Sequence, residues 1–155
     1  MNIYDKAGNI IAASNPADSR VFDKMTIHNA HMIGLELEGI SFNDSDLHGS
    51  DFSGSDLYGA SLIGANCDSC RLVGVDLRSS SLYDASFRNS DLSGASFAFD
   101  NMGGAQSLFG VDFSNANLED ADFTGAIYDE TTIFPKGFDP EKRCRRRPTT
   151  NDEAN

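Results

Sequence analysis

The sequence predicts an all-β solenoid, a chain that turns every five residues and stacks coil upon coil. Three observations predict it. Seventeen apolar residues follow one another at intervals of five from Phe22 to Met102. A small or compact residue stands two positions before most of them, and a turn-forming residue, often Gly, stands two positions after. An internal repeat of this regularity indicates a repeat architecture.

The period of five matches neither the helical period of 3.6 nor the strand period of 2.0. In an extended unit the small and the large residue lie two apart, so both point to the same side, which we take as the interior. Asp, Asn or Ser lies between them and points outward, as in Asp46 and Asp51. Gly, Asn, Asp and Ser supply the turns. The unit is therefore a short strand followed by a corner.

The large residues, here called centres, are predicted to fill the core. The series is interrupted after Met102, where we expect one extra residue, and it resumes at Leu108 and continues to Tyr128 and Ile133. The centres predicted with most support are Phe42, Leu47, Phe52, Leu57, Leu62, Cys67, Leu72, Leu77, Leu82, Phe87, Leu92, Phe97, Phe113, Leu118 and Phe123.

The repeating unit resembles the pentapeptide-repeat family, whose motif is Ala, then Asp or Asn, then Leu, then two variable positions. Close matches are Ala116-Asn117-Leu118 and Ala121-Asp122-Phe123. The resemblance extends from about Phe22 to Phe138. It implies a right-handed quadrilateral parallel β-helix with four repeats in each coil, and the number of centres then gives about six coils.

Both open ends of a solenoid need cover, because unpaired strand edges invite aggregation. We expect residues 1–20 to form an N-terminal β-hairpin cap and linker, and residues 21–138 to form the solenoid. Pro135 cannot donate a ladder hydrogen bond and marks the last coil. Residues 139–155 are predicted to be a disordered basic and polar tail, which includes the basic run 142–147.

Composition limits the partners and the compartment. The net charge is −12 over 155 residues, and the acids concentrate in the repeats. Such a body repels nucleic acid, whose phosphates require clustered Lys and Arg, so we expect no direct nucleic-acid binding by the solenoid. The sequence contains neither an apolar run long enough to span a bilayer nor a signal peptide at its start, which predicts a soluble cytoplasmic protein without membrane contact.

Cysteine and histidine positions are explained by the repeat rather than by chemistry. Cys67 is a centre and Cys70 is a small inward position, so this C-x-x-C predicts core rather than a zinc or redox site. His28 and His48 are predicted to stack one coil apart on the surface, with no third ligand beside them. We expect no enzyme activity, no metal and no cofactor.

Two surface features are candidates for partner binding. The first is an acidic column that imitates nucleic-acid phosphate or, alternatively, serves only solubility. With four repeats per coil, Glu36, Asp56 and Asp76 form an unpaired acidic column, whereas Asp51, Arg71 and Asp91 alternate in sign and are expected to pair. The second candidate lies at the interruption of the series, where Phe99 and Phe109 occupy nominally outward positions. Exposed aromatic residues beside a bulge are typical of contact sites, and local repacking around the bulge is the alternative.

The sequence predicts a non-catalytic interaction module that binds a macromolecular partner through its solenoid surface. The family resemblance implies a narrower alternative, a DNA mimic that binds DNA gyrase or another type II topoisomerase and protects or inhibits it. The identity of the partner, the oligomeric state and the function of the basic run 142–147 stay open at this point.

Overall fold

The computed structural model describes residues 1–13, 20–99 and 104–148. These residues contain strands β1 (Asn2–Tyr4), β2 (Ile10–Ala13), β3 (Ile127–Tyr128) and β4 (Arg145–Arg146), and one helix, α1 (Pro140–Arg143). The repeats between β2 and β3 are joined by single β-bridges. Within the described residues, no helix is both long and apolar enough for a membrane span.

The bridges show how the repeats stack. Up to Ser96 they join residues twenty apart in parallel, as in Val21 to Ser41 and Ser41 to Ser61. The N–H of Phe22 donates to the C=O of Ser41, and the N–H of Ser41 donates to the C=O of Arg20, both at 2.8 Å. Twenty residues make four repeats of five, so each coil has four sides, and the ladder runs along the solenoid axis.

Most corners are tight turns with one left-handed residue. At the corner after Leu57, the N–H of Ala60 donates to the C=O of Leu57 at 3.0 Å, and Gly59 has φ +63°. Positive φ at the third residue of such a turn favours Gly and, less strongly, Asn or Asp. The corners without Gly use mainly Asn, Asp and Ser at this position, for example Asn29, Asp44 and Ser69.

The interior holds the predicted centres. All fifteen centres named above are buried, and Leu118 is the most exposed of them at 5%. The Phe side chains stack from coil to coil: the rings of Phe97 and Phe123 lie 4.6 Å apart and nearly parallel, and those of Phe87 and Phe113 lie 5.7 Å apart. Aromatic stacking of this kind adds to area burial, so the centres form one continuous core.

In the turns of the first coil, a serine hydroxyl from the next coil links a backbone N–H group to a backbone C=O group. Ser50, which is fully buried, accepts from the N–H of Ala30 at 3.0 Å and donates to the C=O of Ile27 at 3.1 Å. Ser45 and Ser55 bond to the turns beside them in the same way. A buried hydroxyl needs partners, and here the preceding coil supplies them.

The interruption of the series differs from the prediction of one extra residue. The bridges that span it join residues 26 apart, as in Ser86 to Asp112 and Asp91 to Asn117, so six residues are inserted. The backbone N–H of Asp84 donates to the C=O of Phe109 at 3.2 Å, which places Leu108 above Leu82 as the centre that follows Phe97. The predicted centre Met102 falls outside the described residues.

The last predicted centre is also wrong. Ile133 is 50% exposed, and its C=O accepts from the N–H of Phe113 at 2.7 Å, so Ile133 takes the outward position of the rung. Phe134 points inward instead, and its ring stacks on that of Phe113 at 5.9 Å. The spacing from Asp112 to Ile133 is 21 residues rather than twenty, and this one-residue shift moves the next side chain inward.

The N-terminal hairpin lies against the first coil. Strands β1 and β2 pair antiparallel, and Asp5 bridges to Ala30. The C=O of Tyr4 accepts from the N–H of His31 at 2.8 Å, and Ile3 is buried in the core.

The segment predicted as a disordered tail is ordered as far as the structure describes it. After α1 the chain returns, and β4 pairs in parallel with β3: the N–H groups of Arg145 and Arg147 donate to Ala126 and Tyr128 at 2.7 and 2.8 Å. The guanidinium of Arg143 lies 5.3 Å from the ring centre of Phe138. Cation–π contacts and an open ladder edge hold this basic segment in place, which composition alone does not reveal.

Candidate functional site: the outward faces of the coils

The outward Asp and Asn of the motif are hydrogen-bonded to the backbone of their own repeat. The carboxylate of Asp56 accepts from the N–H of Tyr58 at 2.8 Å, and Asp122 accepts from Thr124 at 2.9 Å. Short Asp and Asn side chains commonly form this local bond, called an Asx turn, with the backbone N–H two residues further along the chain. The residues that form it are Asp46, Asp51, Asp56, Asn66, Asp76, Asp91, Asp112, Asn117, Asp122 and Asp129.

Where Ser replaces the outward Asp, the preceding coil supplies the acceptor. Asn43 Oδ1 accepts from the N–H of Ile63 at 3.0 Å and from the hydroxyl of Ser61 at 2.6 Å. Asp68 does the same for the N–H of Arg88 and the hydroxyl of Ser86. The outward polar residues therefore belong to the fold, and their charge is not by itself a sign of function.

The predicted acidic column is not uniformly negative. Glu36, Asp56 and Asp76 do lie one above the other, but Asp76 is ion-paired with Arg78, whose Nε lies 2.9 Å from Oδ1. Burial would raise the pKa of Asp76, but hydrogen bonds from Arg78 outweigh it and lower that pKa. The prediction of an unpaired column is wrong at this position, because Arg78 lies two residues after Asp76 and turns back to it.

The neighbouring column shows one of its two predicted pairs, and Arg71 and Asp91 are not within ion-pair distance among the described residues. Arg71 Nε lies 3.5 Å from Asp51 Oδ2. Burial would raise the pKa of Asp91, but hydrogen bonds from Ser93 and Asn117 and the charge of Arg71 lower it. The observed pair is exposed, and such pairs contribute little to stability.

The stacked histidines have one acidic neighbour that sequence reasoning missed. The rings of His28 and His48 lie 6.1 Å apart, one coil from each other, and His28 Nε2 lies 2.6 Å from Asp46 Oδ2. The hydrogen bond from His28 lowers the pKa of Asp46. The twenty-residue spacing stacks Asp46 on Thr26, two positions before His28. The sequence could therefore have predicted that Asp46 lies close to His28. Across the described ranges no cluster of three or more His, Cys, Asp or Glu side chains is arranged to hold a metal ion.

The cysteines of the C-x-x-C are interior residues. Cys67 and Cys70 are free thiols and both are buried. Cys70 Sγ donates to the C=O of Leu47 at 3.1 Å. The hydrogen bond with Cys70, together with burial, raises the pKa of Cys67. A protonated buried thiol is neither a nucleophile nor a metal ligand.

Sequence reasoning missed an apolar strip on one face of the solenoid. We define the strip as Ile63, Tyr83 and Phe109, which follow the centres of three successive coils. Ile63 is 41% and Tyr83 is 44% exposed, and the rings of Tyr83 and Phe109 meet edge to face at 5.8 Å. Phe109 is partly covered, with the guanidinium of Arg147 5.1 Å from its ring centre. Comparing positions twenty residues apart reveals Ile63 and Tyr83 in the sequence.

Phe99 lies at the rim of a surface cleft. Its side chain is 49% exposed, and its ring covers Gly125 so closely that a Cβ there would lie 2.5 Å from Phe99 Cδ1. The cleft has a volume of about 230 Å³ and is lined by Phe99, Ala105, Gly125 and Arg145. The outward position expected for Phe99 is thus observed.

Comparison with protein families identifies the repeats. The profile of pentapeptide repeats matches eight copies in residues 27–59, 60–98 and 107–127, together more than half of the chain. The chain belongs to the pentapeptide repeat family. A comparison with curated proteins gives no significant match.

Solved pentapeptide repeat structures resemble the chain in fold. HetL of the cyanobacterium Nostoc sp. strain PCC 7120, described as involved in heterocyst differentiation regulation, is 23% identical with a TM-score of 0.65. The match covers 73% of this chain and 48% of HetL, so the chain spans about half the length of that protein. Together, the family and this similarity assign the solenoid to the right-handed β-helices.

Two further solved structures are similar at lower TM-scores. The protein alr5209 of Nostoc is 29% identical over 72% of this chain and 84% of its own, with a TM-score of 0.43. QnrB1, described as a plasmid-mediated fluoroquinolone resistance protein, is 18% identical over 83% of this chain and 86% of its own, with a TM-score of 0.37.

Proposed function

We propose that this pentapeptide repeat protein is a non-catalytic interaction module that binds a protein partner through the outer surface of its solenoid. In this proposal the solenoid has about six coils, and the β1–β2 hairpin caps its N-terminal end. The apolar strip of Ile63, Tyr83 and Phe109 carries the proposal. It presents apolar side chains on adjacent rungs of the outer surface, and Ile63 and Tyr83 are more than 40% exposed there.

The strip differs from the other outward positions in what it contributes to the coil. Outward Asp and Asn side chains accept backbone hydrogen bonds, and so they stabilise the fold. Ile63 and Tyr83 follow their centres at positions where neighbouring coils carry the polar residues Asp23 and Asn43. Large apolar side chains exposed in a row favour a protein partner, because their burial on binding is favourable by roughly 25 cal/mol per Å².

Glu36, Asp56, Asp76 and Phe99 remain candidate contacts around this surface. The alternative is the DNA mimic that binds type II topoisomerase, which would depend on the acidic columns. The ion pair of Arg78 with Asp76 and the backbone bonds of Asp56 weaken the comparison with a row of free phosphates. We therefore favour a protein partner that contacts the apolar strip.

The test replaces Ile63 and Tyr83 by Ser in one double variant. The matched control replaces Ile33 and Tyr4, which are 45% and 44% exposed on another part of the surface. Both double variants should stay folded, because exposed substitutions change stability by about 0.5 kcal/mol or less each. Tagged proteins are used to capture partners from the native lysate, and captured proteins are quantified by mass spectrometry.

We expect I63S/Y83S to lose a specific partner that both the unchanged protein and I33S/Y4S retain. Equal capture by all three proteins would refute a role for the apolar strip. A gyrase supercoiling assay addresses the alternative: we expect no effect at micromolar protein, and inhibition or quinolone protection would favour the topoisomerase hypothesis instead.

A further inference from the structure

Strand β4 is an edge strand at the C-terminal end of the solenoid. Its residues Arg145 and Arg146 pair with Ile127 and Tyr128 of β3. The N–H groups of Arg145 and Arg147 donate toward β3. Because alternate backbone groups of a strand face opposite sides, the N–H and C=O of Arg146 face away from β3. Among the described residues no further rung pairs with that side.

We propose that this open edge binds an extended, acidic segment of a partner protein by strand addition. An exposed edge is a template for another extended chain, whose main-chain hydrogen bonds give affinity while its side chains give specificity. The proposal goes beyond the function proposed above, since it uses the end of the solenoid rather than Ile63 and Tyr83.

The positive charge of β4 favours an acidic partner. Arg145, Arg146 and Arg147 are consecutive and exposed, and none of them forms an ion pair within the described residues. Three like charges on one edge repel the same edge of a second copy. Guanidinium groups also bind carboxylates through paired hydrogen bonds. The complementary ligand is therefore a strand that carries Asp or Glu.

The cleft beside β4 adds a second element of recognition. Arg145 lines it together with Phe99, whose ring is half exposed, and with Ala105 and Gly125. A volume of about 230 Å³ accepts one apolar side chain beside the arginine. We therefore expect a ligand in which an apolar residue lies among acidic ones.

A protein segment fits these observations better than single-stranded nucleic acid does. Arginine and aromatic side chains also bind nucleic acid through phosphate contacts and base stacking. The basic edge is short, however, and it stands on a chain with a net charge of −12. A nucleic acid longer than a few nucleotides would extend over acidic coils, whereas a short acidic segment ends at the arginines.

The first experiment selects ligands with the full-length protein from a phage-displayed library of random decapeptides. We expect enrichment of sequences with several Asp or Glu and at least one apolar residue. The best peptide is then synthesised in two forms, one unmodified and one with alternate backbone nitrogens methylated, and binding is measured by fluorescence anisotropy. The methylated form keeps its charge but cannot complete the strand pairing, so we expect at least tenfold weaker binding.

Two pairs of variants locate the site. R145E/R146E should bind the peptide at least about tenfold more weakly, since two exposed ion pairs become repulsions. K6E/K24E makes the same change in charge at the other end and should bind normally. R146P, which lacks the backbone N–H, should bind several-fold more weakly than R146A. Circular dichroism checks that each variant is folded.

Several results would overturn the proposal. The library could fail to enrich acidic peptides, or the methylated peptide could bind as tightly as the unmodified one. R146P and R146A could bind the peptide equally, or the protein could bind a 15-nucleotide oligo-dT more tightly than the peptide. A dimer in sedimentation that R145E/R146E dissolves would show that a second copy occupies the edge. A more than tenfold gain in affinity on ending the chain at residue 148 would show that its own terminus occupies it.

Discussion

The Asx turns make a quantitative prediction about why the repeats are acidic. Asp56, Asp112 and Asp122 each accept a backbone N–H at 2.8, 2.8 and 2.9 Å. Replacing all three by Ala removes three backbone hydrogen bonds and three charges, together with the Arg88 contact of Asp112 and the side-chain bond of Asp122 with Thr124. Replacing all three by Asn removes the same charges but keeps an acceptor oxygen at each position. The two triple variants therefore separate the hydrogen bond from the charge.

The magnitude follows from the bonds. A net hydrogen bond is worth about 1 kcal/mol, and the three sites lie in different places and should add. We expect the triple Ala variant to lose about 3 kcal/mol of unfolding free energy, or about 6–12 °C in Tm for a chain of this size. The triple Asn variant should stay within about 1 kcal/mol of the unchanged protein.

Urea denaturation followed by circular dichroism measures both differences under one condition. Equal destabilisation of the two variants would show that negative charge, rather than the acceptor oxygen, matters at these positions. An unchanged triple Ala variant would show that the Asx turns contribute nothing.

Two further predictions concern titratable groups. Burial raises the pKa of Cys144 to about 12, and hydrogen bonding together with burial raises the pKa of Cys67. Iodoacetamide at pH 8 should therefore modify neither thiol within minutes. Rapid labelling would contradict the packing. The pKa of Asp46 is lowered below 3.8 by His28, so its contribution to stability is present above pH 3.8 and is lost as pH falls through the lower value. The urea midpoint of Asp46→Asn should therefore fall less on acidification, and an equal fall would contradict this.

The repeat could be predicted from sequence because each position has one physical task. A centre such as Leu57 must be apolar, because it is surrounded by the interior of its own and adjacent coils, where its side chain is fully buried. Gly59 or its equivalent must adopt positive φ. These requirements recur with every repeat, so they appear as a period that a single sequence displays.

The errors fall where the period carries no information. The interruption was predicted as one extra residue, although the ladder shows six inserted residues. Ile133 was in phase, but a 21-residue coil turned Phe134 inward. In both places the ladder register decides which residue is inward, and register depends on contacts between coils rather than on spacing along the chain.

The candidate sites were harder to predict than the fold. A partner-binding residue is recognised because its side chain is not needed to stabilise the coil, and the sequence alone does not show this. Phe99 stood out because it lies at the interruption of the repeats. Ile63 and Tyr83 did not, because they belong to regular repeats, and only their stacking with Phe109 makes them a surface. The arginines of β4 resembled a disordered tail in composition, although their backbone adds a rung to the ladder.

The repeat itself supplies the standard against which function can be sought. In a solenoid whose acidic residues satisfy its own backbone, an outward side chain that accepts no such bond is not required by the coil. Natural sequences depart from structural consistency mainly at functional sites. The apolar strip differs from the other outward positions because its side chains are hydrophobic, and the edge of β4 differs from the acidic coils because it is positively charged. The two surfaces meet where the guanidinium of Arg147 lies 5.1 Å from the ring centre of Phe109. Variants at Ile63 and Tyr83 and variants at Arg145 and Arg146 avoid that contact, so each surface can be tested separately.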